Sequence, residues 1–280
     1  MQHVREIAPL REQIRRWRKA GDTIAFVPTM GNLHAGHLRL VAEGKARATR
    51  VVASIFVNPL QFGANEDLAN YPRTPAEDAD ALLRAGTDLL FLPDEQTIYP
   101  YGKEGISLVA VPELGDVLCG ASRPGHFQGV STVVCKLFNM VQPDLACFGQ
   151  KDYQQLTILR RMVRDLDFPI AIHAVETVRE QDGLAMSSRN AYLSVEERVK
   201  APALYQTLAA IVDALRAGER DFATLEQYGI ERLLDAGLRP DYLSIRDAEA
   251  LRPAQTDDDA LVVLAAAWLG KARLIDNLLV

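Results

Sequence analysis

Two histidines three positions apart carry the strongest chemical signal in the chain. His34 and His37 lie in the segment PTMGNLHAGH over 28–37, where an apolar strand leads through a glycine into a helix beginning near His37. This spacing places both imidazoles on one side of a helical turn, and a helix N-terminus attracts phosphate. The histidines could stabilise a departing pyrophosphate or supply a proton. A metal pair and two ordinary surface histidines are the alternatives.

Amide side chains follow the second predicted strand, which spans 51–57. Asn58 and Gln61 lie in the sequence FVNPLQF over 56–62, at the sheet edge where open α/β folds bind ligands. Because an amide both donates and accepts hydrogen bonds, these residues are candidate substrate contacts and Gln61 could hold a hydroxyl or a carboxylate. A plain turn built on Asn-Pro is the alternative.

A third polar segment, FGQKDYQQ over 148–155, again separates a strand from a helix. Gly149 permits a tight turn, and Lys151 can place its charge on a phosphate. Asp152 could bind a ribose hydroxyl or a hydrated magnesium ion, or cap the helix. Gln155 lies one turn into that helix and could face a cleft. A loop that only caps the helix is the alternative.

A fourth segment, MSSRN over 186–190, places two hydroxyls beside a guanidinium. Such a group can clamp β- and γ-phosphates, although a flexible polar linker would have the same composition. Arg123 and His126 lie in a glycine-containing loop and could add positive charge to a cleft. The acidic residues Asp78, Asp80 and Asp88 are interpreted as solvated or capping carboxylates.

Alternating strands and helices over residues 1–180 predict a parallel sheet that is covered on both faces. The pattern then changes to one long helix over 195–217, opened by the capping-box spacing of Ser194 and Glu197. A second helix over 222–236 and three strands (242–246, 260–267 and 272–279) follow, which suits a small antiparallel sheet. We therefore expect two domains, 1–180 and 181–280.

The composition and the net charge of the chain argue against several classes of protein. The 280 residues carry a net charge of −6 and no lysine- or arginine-rich cluster, which argues against a nucleic-acid partner. No apolar stretch reaches the length of a membrane span, and no signal peptide is recognisable, so a cytoplasmic location is expected. The three cysteines, Cys119, Cys135 and Cys147, lack metal or redox spacing and are interpreted as buried or incidental thiols.

Together these motifs resemble one enzyme family. The 28–37 segment resembles the HxGH signature of the nucleotidyltransferases, which class I aminoacyl-tRNA synthetases share, and Met186–Arg189 resembles their KMSKS-like phosphate loop. With 56–62 and 149–152 in this order, the chain is similar to the pantoate–β-alanine ligases (pantothenate synthetases) over nearly its whole length. It departs from the family at Asn32 and Ala35, where Ala and Glu are more usual, and neither is assigned to the chemistry.

The resemblance implies a Rossmann-like α/β domain of the HUP nucleotidyltransferase type and a small α+β C-terminal domain that closes over the active site. ATP and (R)-pantoate would give pantoyl adenylate and pyrophosphate, and β-alanine would then displace AMP to give pantothenate. Mg²⁺ would accompany the triphosphate, and the family is typically homodimeric. No residue is assigned as a metal ligand.

The resemblance also assigns roles to residues. Those assigned to ATP are Met30, Gly31, Asn32, Leu33, His34, Ala35, Gly36, His37, Gly149, Gln150, Lys151, Asp152, Val178, Met186, Ser187, Ser188 and Arg189. Of these, His34, His37, Lys151 and Arg189 are the expected catalytic residues, with His37 as the proposed proton donor. Gln61 and Gln155 would hold pantoate, Gln61 would also lie near β-alanine, and Asn58 and Arg123 are further substrate candidates.

Other functions remain possible on single motifs. Another HxGH enzyme, such as a pantetheine-phosphate adenylyltransferase or a cytidylyltransferase, would be expected to lack the Gln61 and Gln155 pair and the C-terminal domain. A nucleotide sensor would not need groups for a second and a third substrate. A transfer-RNA ligase would need an anticodon-binding region and a basic surface.

Overall fold

The computed structural model describes residues 1–63, 68 and 71–280. The chain forms two compact units, the first made of 1–149 and 158–175 and the second of 150–157 and 176–280. In the described ranges, no helix combines the length and the apolar character that crossing a membrane requires.

The first unit is built on a six-stranded sheet. Its strands are β1 (Gln2–Val4), β2 (Ile24–Thr29), β3 (Arg50–Ile55), β4 (Leu89–Phe91), β5 (Leu145–Gly149) and β6 (Ala171–Val175). Its helices are α1 (Ile7–Lys19), α2 (Ala35–Arg47), α3 (Pro75–Ala85), α4 (Glu95–Ile98), α5 (Cys119–Ser122) and α6 (His126–Val141). Helix α7 (Tyr153–Asp165) follows β5 and is divided between the two units.

All neighbouring strands of this sheet are parallel, in the order β1-β4-β3-β2-β5-β6. The predicted Rossmann-like α/β fold is confirmed. The short strand β1 was not predicted, because only Val4 of its three residues is buried and the segment has no apolar run. Strands β3 and β4 extend to one side of β2, and β5 and β6 to the other. The carboxyl ends of β2 and β5 therefore form the switch point at which such sheets bind ligands.

Strand β2 is buried on both faces, which explains its unbroken apolar sequence. Ala25 and Val27 pack into a cluster with residues of α2 and α3. Ile24 and Phe26 are also fully buried, and Phe26 meets Phe138 of α6 edge to face at 6.4 Å between ring centroids. This packing fixes the strand from which the first candidate segment emerges.

The second unit contains the predicted small antiparallel sheet. Its strands are β7 (Arg239–Asp247), β8 (Leu261–Leu269) and β9 (Ala272–Leu279), in that order. Its further helices are α8 (Val195–Lys200), α9 (Ala203–Arg216) and α10 (Phe222–Asp235). Leucines and other apolar side chains from α9, α10 and the sheet form one buried core.

The prediction of one long helix over 195–217 is wrong. Two helices, α8 and α9, replace it, and the interruption falls at Ala201 and Pro202. Pro202 has no backbone N–H to bond to the carbonyl of Arg198, and its ring crowds that carbonyl. The predicted capping box is present, since Ser194 and Glu197 each accept the other's backbone N–H.

The core of the second unit predicts a contrast between two leucines. Leu208→Ala should lower the free energy of unfolding by about 2–5 kcal/mol, because Leu208 is fully buried and its removal leaves a cavity. The control Leu234→Ala, at a position 54% exposed on α10, should change it by less than about 1 kcal/mol. Urea unfolding of both variants measures the difference, and equal losses would contradict this packing.

Candidate active site

A left-handed turn follows β2 and leads into α2. Gly31 has a φ of 83° and Asn32 a φ of 51°. A Cβ on Gly31 would lie 3.0 Å from Asp78 Oδ2 and 3.2 Å from a methyl carbon of Ile55, so glycine is favoured both by its φ and by the space. The hydroxyl of Thr29 donates to the Ser54 carbonyl at 2.8 Å, which ties the start of the turn to β3.

The carboxylate of Asp78 holds the middle of this turn. Its two oxygens accept the backbone N–H groups of Asn32 and Leu33, both at 2.8 Å. Asp78 lies on α3 and is 3% exposed, so its interpretation as a solvated carboxylate is wrong; it accepts backbone N–H groups just before α2, as a capping carboxylate does. No local sequence signal could have revealed it, because its partners lie 46 and 45 positions away along the chain.

His34 and His37 lie side by side at the start of α2, with ring centroids 4.1 Å apart. His34 is the N-cap residue, and its Nδ1 accepts the N–H of Gly36 at 3.2 Å. The Nδ1 of His37 accepts the N–H of His34 at 3.3 Å. The two imidazole rings therefore form a capping box, in which each ring accepts one backbone N–H at the start of the helix.

These two contacts determine the tautomer of both histidines. Because each Nδ1 accepts a backbone N–H, the proton of each neutral ring is on Nε2. His34 and His37 thus carry Nε2–H donors at the N-terminus of a 13-residue helix. Both the paired donors and the helix dipole favour an anionic group there.

Gln61 and Asn58 lie in the turn after β3 and are buried, at 9% and 1% exposure. Asn58 Nδ2 donates to Gln61 Oε1 at 3.2 Å. Gln61 Nε2 lies 3.0 Å from the sulfur of Met30. Gln61, which is predicted to bind the acid, therefore lies next to Met30, where the segment predicted to bind the nucleotide begins.

Arg123 and His126 pack against the backbone of the same turn. His126 Nδ1 donates to the Gln61 carbonyl at 2.7 Å, which leaves its Nε2 to accept from Arg123 NH1 at 2.9 Å. Arg123 NH2 also reaches the Gln61 carbonyl, at 3.5 Å. Both residues of this loop are thus located at Gln61, but His126 donates through one ring nitrogen and accepts through the other, as a neutral imidazole does, so only Arg123 brings positive charge there.

In the second unit, β9 holds the turn that carries Lys151. Asn277 Nδ2 donates to the carbonyls of Gln150 and Lys151, at 2.8 and 2.9 Å. Both terminal nitrogens of Arg179 donate hydrogen bonds to the carboxylate of the neighbouring Asp276, at 2.6 and 2.9 Å. No local pattern indicated this support, because its residues are far apart along the chain.

The MSSRN segment lies beside Lys151 in the second unit. Lys151, Ser187, Asn190 and Asp276 are the polar lining residues of a pocket whose other lining residues are apolar. The N–H of Met186 donates to the carbonyl of Val178 at 2.9 Å, and Ser187 Oγ accepts the N–H of Arg189 at 3.2 Å. The structure therefore brings several residues predicted for ATP together in this unit.

The remaining predicted residues differ in exposure. Asp152 is exposed, whereas Gln155, Ser188 and Arg189 are half-buried. In the part of the chain that the structure describes, no group of three or more His, Cys, Asp or Glu side chains is arranged to hold a metal ion.

Comparison with known sequences identifies close relatives. The family model described as pantoate-beta-alanine ligase matches residues 2–279. A pantothenate synthetase of Pseudomonas putida (strain W619) is 60% identical over 280 residues, which cover 100% of this chain and 98% of the relative. A pantothenate synthetase of Colwellia psychrerythraea is 57% identical over 283 residues, covering 99% and 98% of the two sequences.

Solved structures agree with the sequence relatives. Pantothenate synthetase from Thermus thermophilus is 48% identical and superposes with a TM-score of 0.93, with 99% of each chain covered. Pantoate-beta-alanine ligase from Francisella tularensis, complexed with beta-gamma ATP and beta-alanine, is 32% identical with a TM-score of 0.80. That match covers 100% of this chain and 97% of the other.

Asp78 offers a test of the turn that begins α2. Asp78→Asn replaces one acceptor oxygen by an N–H donor, which would oppose the N–H of Asn32 or of Leu33. We expect the free energy of unfolding to fall by about 1–3 kcal/mol, the cost of an unsatisfied buried donor. Asp80→Asn, at an exposed position of the same helix, should change it by less than about 0.5 kcal/mol. Denaturant unfolding compares the two, and an unaffected Asp78→Asn variant would contradict the anchoring role.

Proposed function

Because the chain belongs to the pantoate–β-alanine ligase family, we propose that it condenses (R)-pantoate with β-alanine, with cleavage of ATP to AMP and diphosphate. The observation that carries this proposal is the end-to-end match to such enzymes in sequence and in fold. The product is pantothenate, and the enzyme is an AMP-forming ligase of pantothenate biosynthesis.

The reaction has two steps. In the first, a pantoate carboxylate oxygen attacks the α-phosphorus of ATP, and the bond from that phosphorus to diphosphate breaks. In the second, the amine of β-alanine attacks the acyl carbon of pantoyl adenylate, the bond to AMP breaks, and the nitrogen loses a proton as the amide forms. The protein supplies alignment and charge stabilisation for both steps.

The two histidines are the proposed phosphate partners in the first step. Their Nε2–H groups, set by the Nδ1 contacts to the backbone, suit hydrogen bonding to phosphate oxygens as charge moves onto the leaving diphosphate. We propose that the turn from Met30 to His37 binds ATP and that His37 is the donor at the leaving group.

Gln61 and Gln155 are the proposed pantoate contacts, with Gln61 also near β-alanine. The contact from Asn58 to Gln61 favours an indirect part for Asn58, which holds Gln61 rather than the substrate. Arg123 would contribute positive charge from beside the Gln61 carbonyl.

The resemblance assigns a further set of residues to the same nucleotide. It comprises Gly149–Asp152, Val178 and Met186–Arg189, with Lys151 and Arg189 as the phosphate cations. Support for this part of the proposal comes from the second unit itself, where Lys151 and Ser187 line one pocket. A lysine or arginine beside two hydroxyls suits phosphate oxygens.

Mg²⁺ is proposed to arrive with ATP. Such ions are often held by substrate phosphates, water and one or two carboxylates, and the exposed Asp152 is a carboxylate on the turn assigned to ATP. The described residues fit an ion carried by the substrate, since they form no protein-only metal cluster. When bound, the ion would neutralise part of the triphosphate charge.

Three properties implied by the resemblance belong to the same proposal. They are a homodimeric assembly, a cytoplasmic location, and a C-terminal domain over 181–280 that closes over the active site. Closure would shield the adenylate from hydrolysis. Light scattering of the purified protein tests the dimer.

The proposed reaction predicts dependence on both acids. With ATP and pantoate but no β-alanine, we expect about one diphosphate released per active site, because the adenylate stays bound. With β-alanine added, diphosphate and AMP should form continuously and in equal amounts. Coupled diphosphate detection and chromatography of AMP measure this, and equally fast ATP consumption with neither acid present would refute the function.

The tautomer of His37 predicts a larger loss of rate for one substitution than for another. His37→Asn keeps an acceptor near Nδ1 but removes the Nε2–H donor, so diphosphate release in a single turnover should slow by at least about 100-fold. His37→Gln keeps a donor near Nε2 and should lose less.

The control for the two His37 variants is the thermal unfolding temperature. We expect His37→Asn to unfold at nearly the same temperature as the unmodified protein, because the contact at the Nδ1 position is kept. A near-normal rate in His37→Asn would remove His37 from the chemistry. A slower rate in His37→Gln than in His37→Asn would assign the effect to the Nδ1 contact instead.

A further inference from the structure

A buried tyrosine lies behind the acid-binding turn. Tyr99 ends the short helix α4 and is 2% exposed. Its O–H donates to Asn58 Oδ1 at 2.7 Å. Its ring packs beside Phe56, and the ammonium of Lys136 lies 5.8 Å from the ring centroid. Neither the motifs nor the family resemblance gave Tyr99 a role.

The surroundings of Tyr99 keep its hydroxyl protonated. Burial, and to a lesser extent the negative charge of Glu95, raises the pKa of Tyr99 well above its ordinary value. The hydroxyl therefore remains a donor across the pH range of ordinary enzyme assays, and Asn58 Oδ1 is the acceptor.

Asn58 can adopt only one amide orientation in this environment. Its Oδ1 accepts from the Tyr99 hydroxyl and from the N–H of Leu60, at 2.7 and 3.3 Å. Its Nδ2 donates to the carbonyl of Gly129 at 3.1 Å and to Gln61 Oε1 at 3.2 Å. A reversed amide would set donor against donor at Leu60 and acceptor against acceptor at Gly129.

The orientation of Asn58 decides that of Gln61. Because Gln61 Oε1 accepts from Asn58, Nε2 is the donor end of the Gln61 amide; it donates one hydrogen to the Met30 sulfur at 3.0 Å, which leaves its second N–H for a ligand. Gln61 is therefore set to donate from this end of the amide. Carboxylate and hydroxyl oxygens are the groups that such a donor recognises.

The turn has little freedom to relax. A Cβ on Gly129 would lie 2.3 Å from the Leu60 carbonyl oxygen and 2.7 Å from the Gln61 nitrogen. The α6 backbone thus packs directly against the turn, and the hydrogen-bonded chain from Tyr99 to Gln61 is enclosed on that side.

We propose that Tyr99 is a positioning residue for pantoate binding, which acts through Asn58 to keep the Gln61 amide turned so that its second N–H can donate to the oxygens of the acid. The proposal rests on the proposed function, since it assumes that Gln61 holds pantoate. Tyr99 does not touch the substrate and acts only through the two amides.

Tyr99→Phe removes the hydroxyl and keeps the ring. We expect the KM for pantoate to rise about tenfold, as for one lost buried hydrogen bond, with kcat and the KM for ATP within about twofold. Tyr228→Phe, which removes a hydroxyl from the exposed surface of α10, is the matched control and should leave all three values unchanged. An unchanged pantoate KM in Tyr99→Phe would overturn the proposal.

A double-mutant cycle separates positioning from general damage. In a Gln61→Ala background, Tyr99→Phe should cause no further rise in the pantoate KM, because the group that it positions is absent. A rise of the same size in both backgrounds would show that Tyr99 acts independently of Gln61 and would also overturn the proposal. If Tyr99→Phe does not fold, Asn58→Ala interrupts the same chain and is subjected to the same cycle.

The two proposals fail in different ways. If the unmodified protein shows no pantoate-dependent diphosphate release, the proposed function is wrong and the role of Tyr99 falls with it. If that release occurs and the cycle is additive, only the role of Tyr99 is wrong.

Discussion

The buried carboxylate of Asp78 is the contact on which the start of the active site depends. A chain that leaves a central strand and enters a helix within a few residues must turn sharply, and here it does so with two consecutive positive φ angles at Gly31 and Asn32. That turn aims the backbone N–H groups of Asn32 and Leu33 inward, where no strand can accept them. Asp78 accepts both, so the turn is satisfied and α2 can begin at Ala35, with His34 as its N-cap residue. Without this acceptor, the cost of two buried donors would oppose the turn.

The same arrangement recurs among the candidate site residues of the first unit. A hydrogen bond at one end of a side chain fixes whether its other end is a donor or an acceptor. The Nδ1 atoms of His34 and His37 accept backbone N–H groups, which makes each Nε2 a donor. The Oε1 of Gln61 accepts from Asn58, which makes its Nε2 the outward end. Imidazole and amide groups are ambiguous by nature, and these contacts remove the ambiguity before a substrate binds.

Much of this arrangement was predictable from local sequence, and the rest was not for a physical reason. β-branched runs and amphipathic periodicity predicted most strands and helices, and the spacing of His34 and His37 predicted their side-by-side rings. Propensity alone missed the break at Pro202, because the residues on either side are good helix formers. Asp78, Tyr99 and Asn277 were missed for another reason. Their hydrogen-bond partners lie as far as 46, 41 and 127 positions away along the chain, respectively. A polar residue that satisfies distant backbone or amide groups leaves no pattern in its own neighbourhood.

The division between neutral and charged donors follows from burial. Adenylation brings a carboxylate to a triphosphate, so the protein must offset repulsion between two anions. Asn58 and Gln61 are almost fully buried, where an unpaired cation would be costly to desolvate but an amide held by hydrogen bonds is not. The cations proposed for the phosphates, Lys151 and Arg189, are only half-buried and can keep part of their hydration. A buried donor that carries no charge must depend on orientation instead, which is why the hydrogen bonds behind Gln61 matter as much as the amide itself.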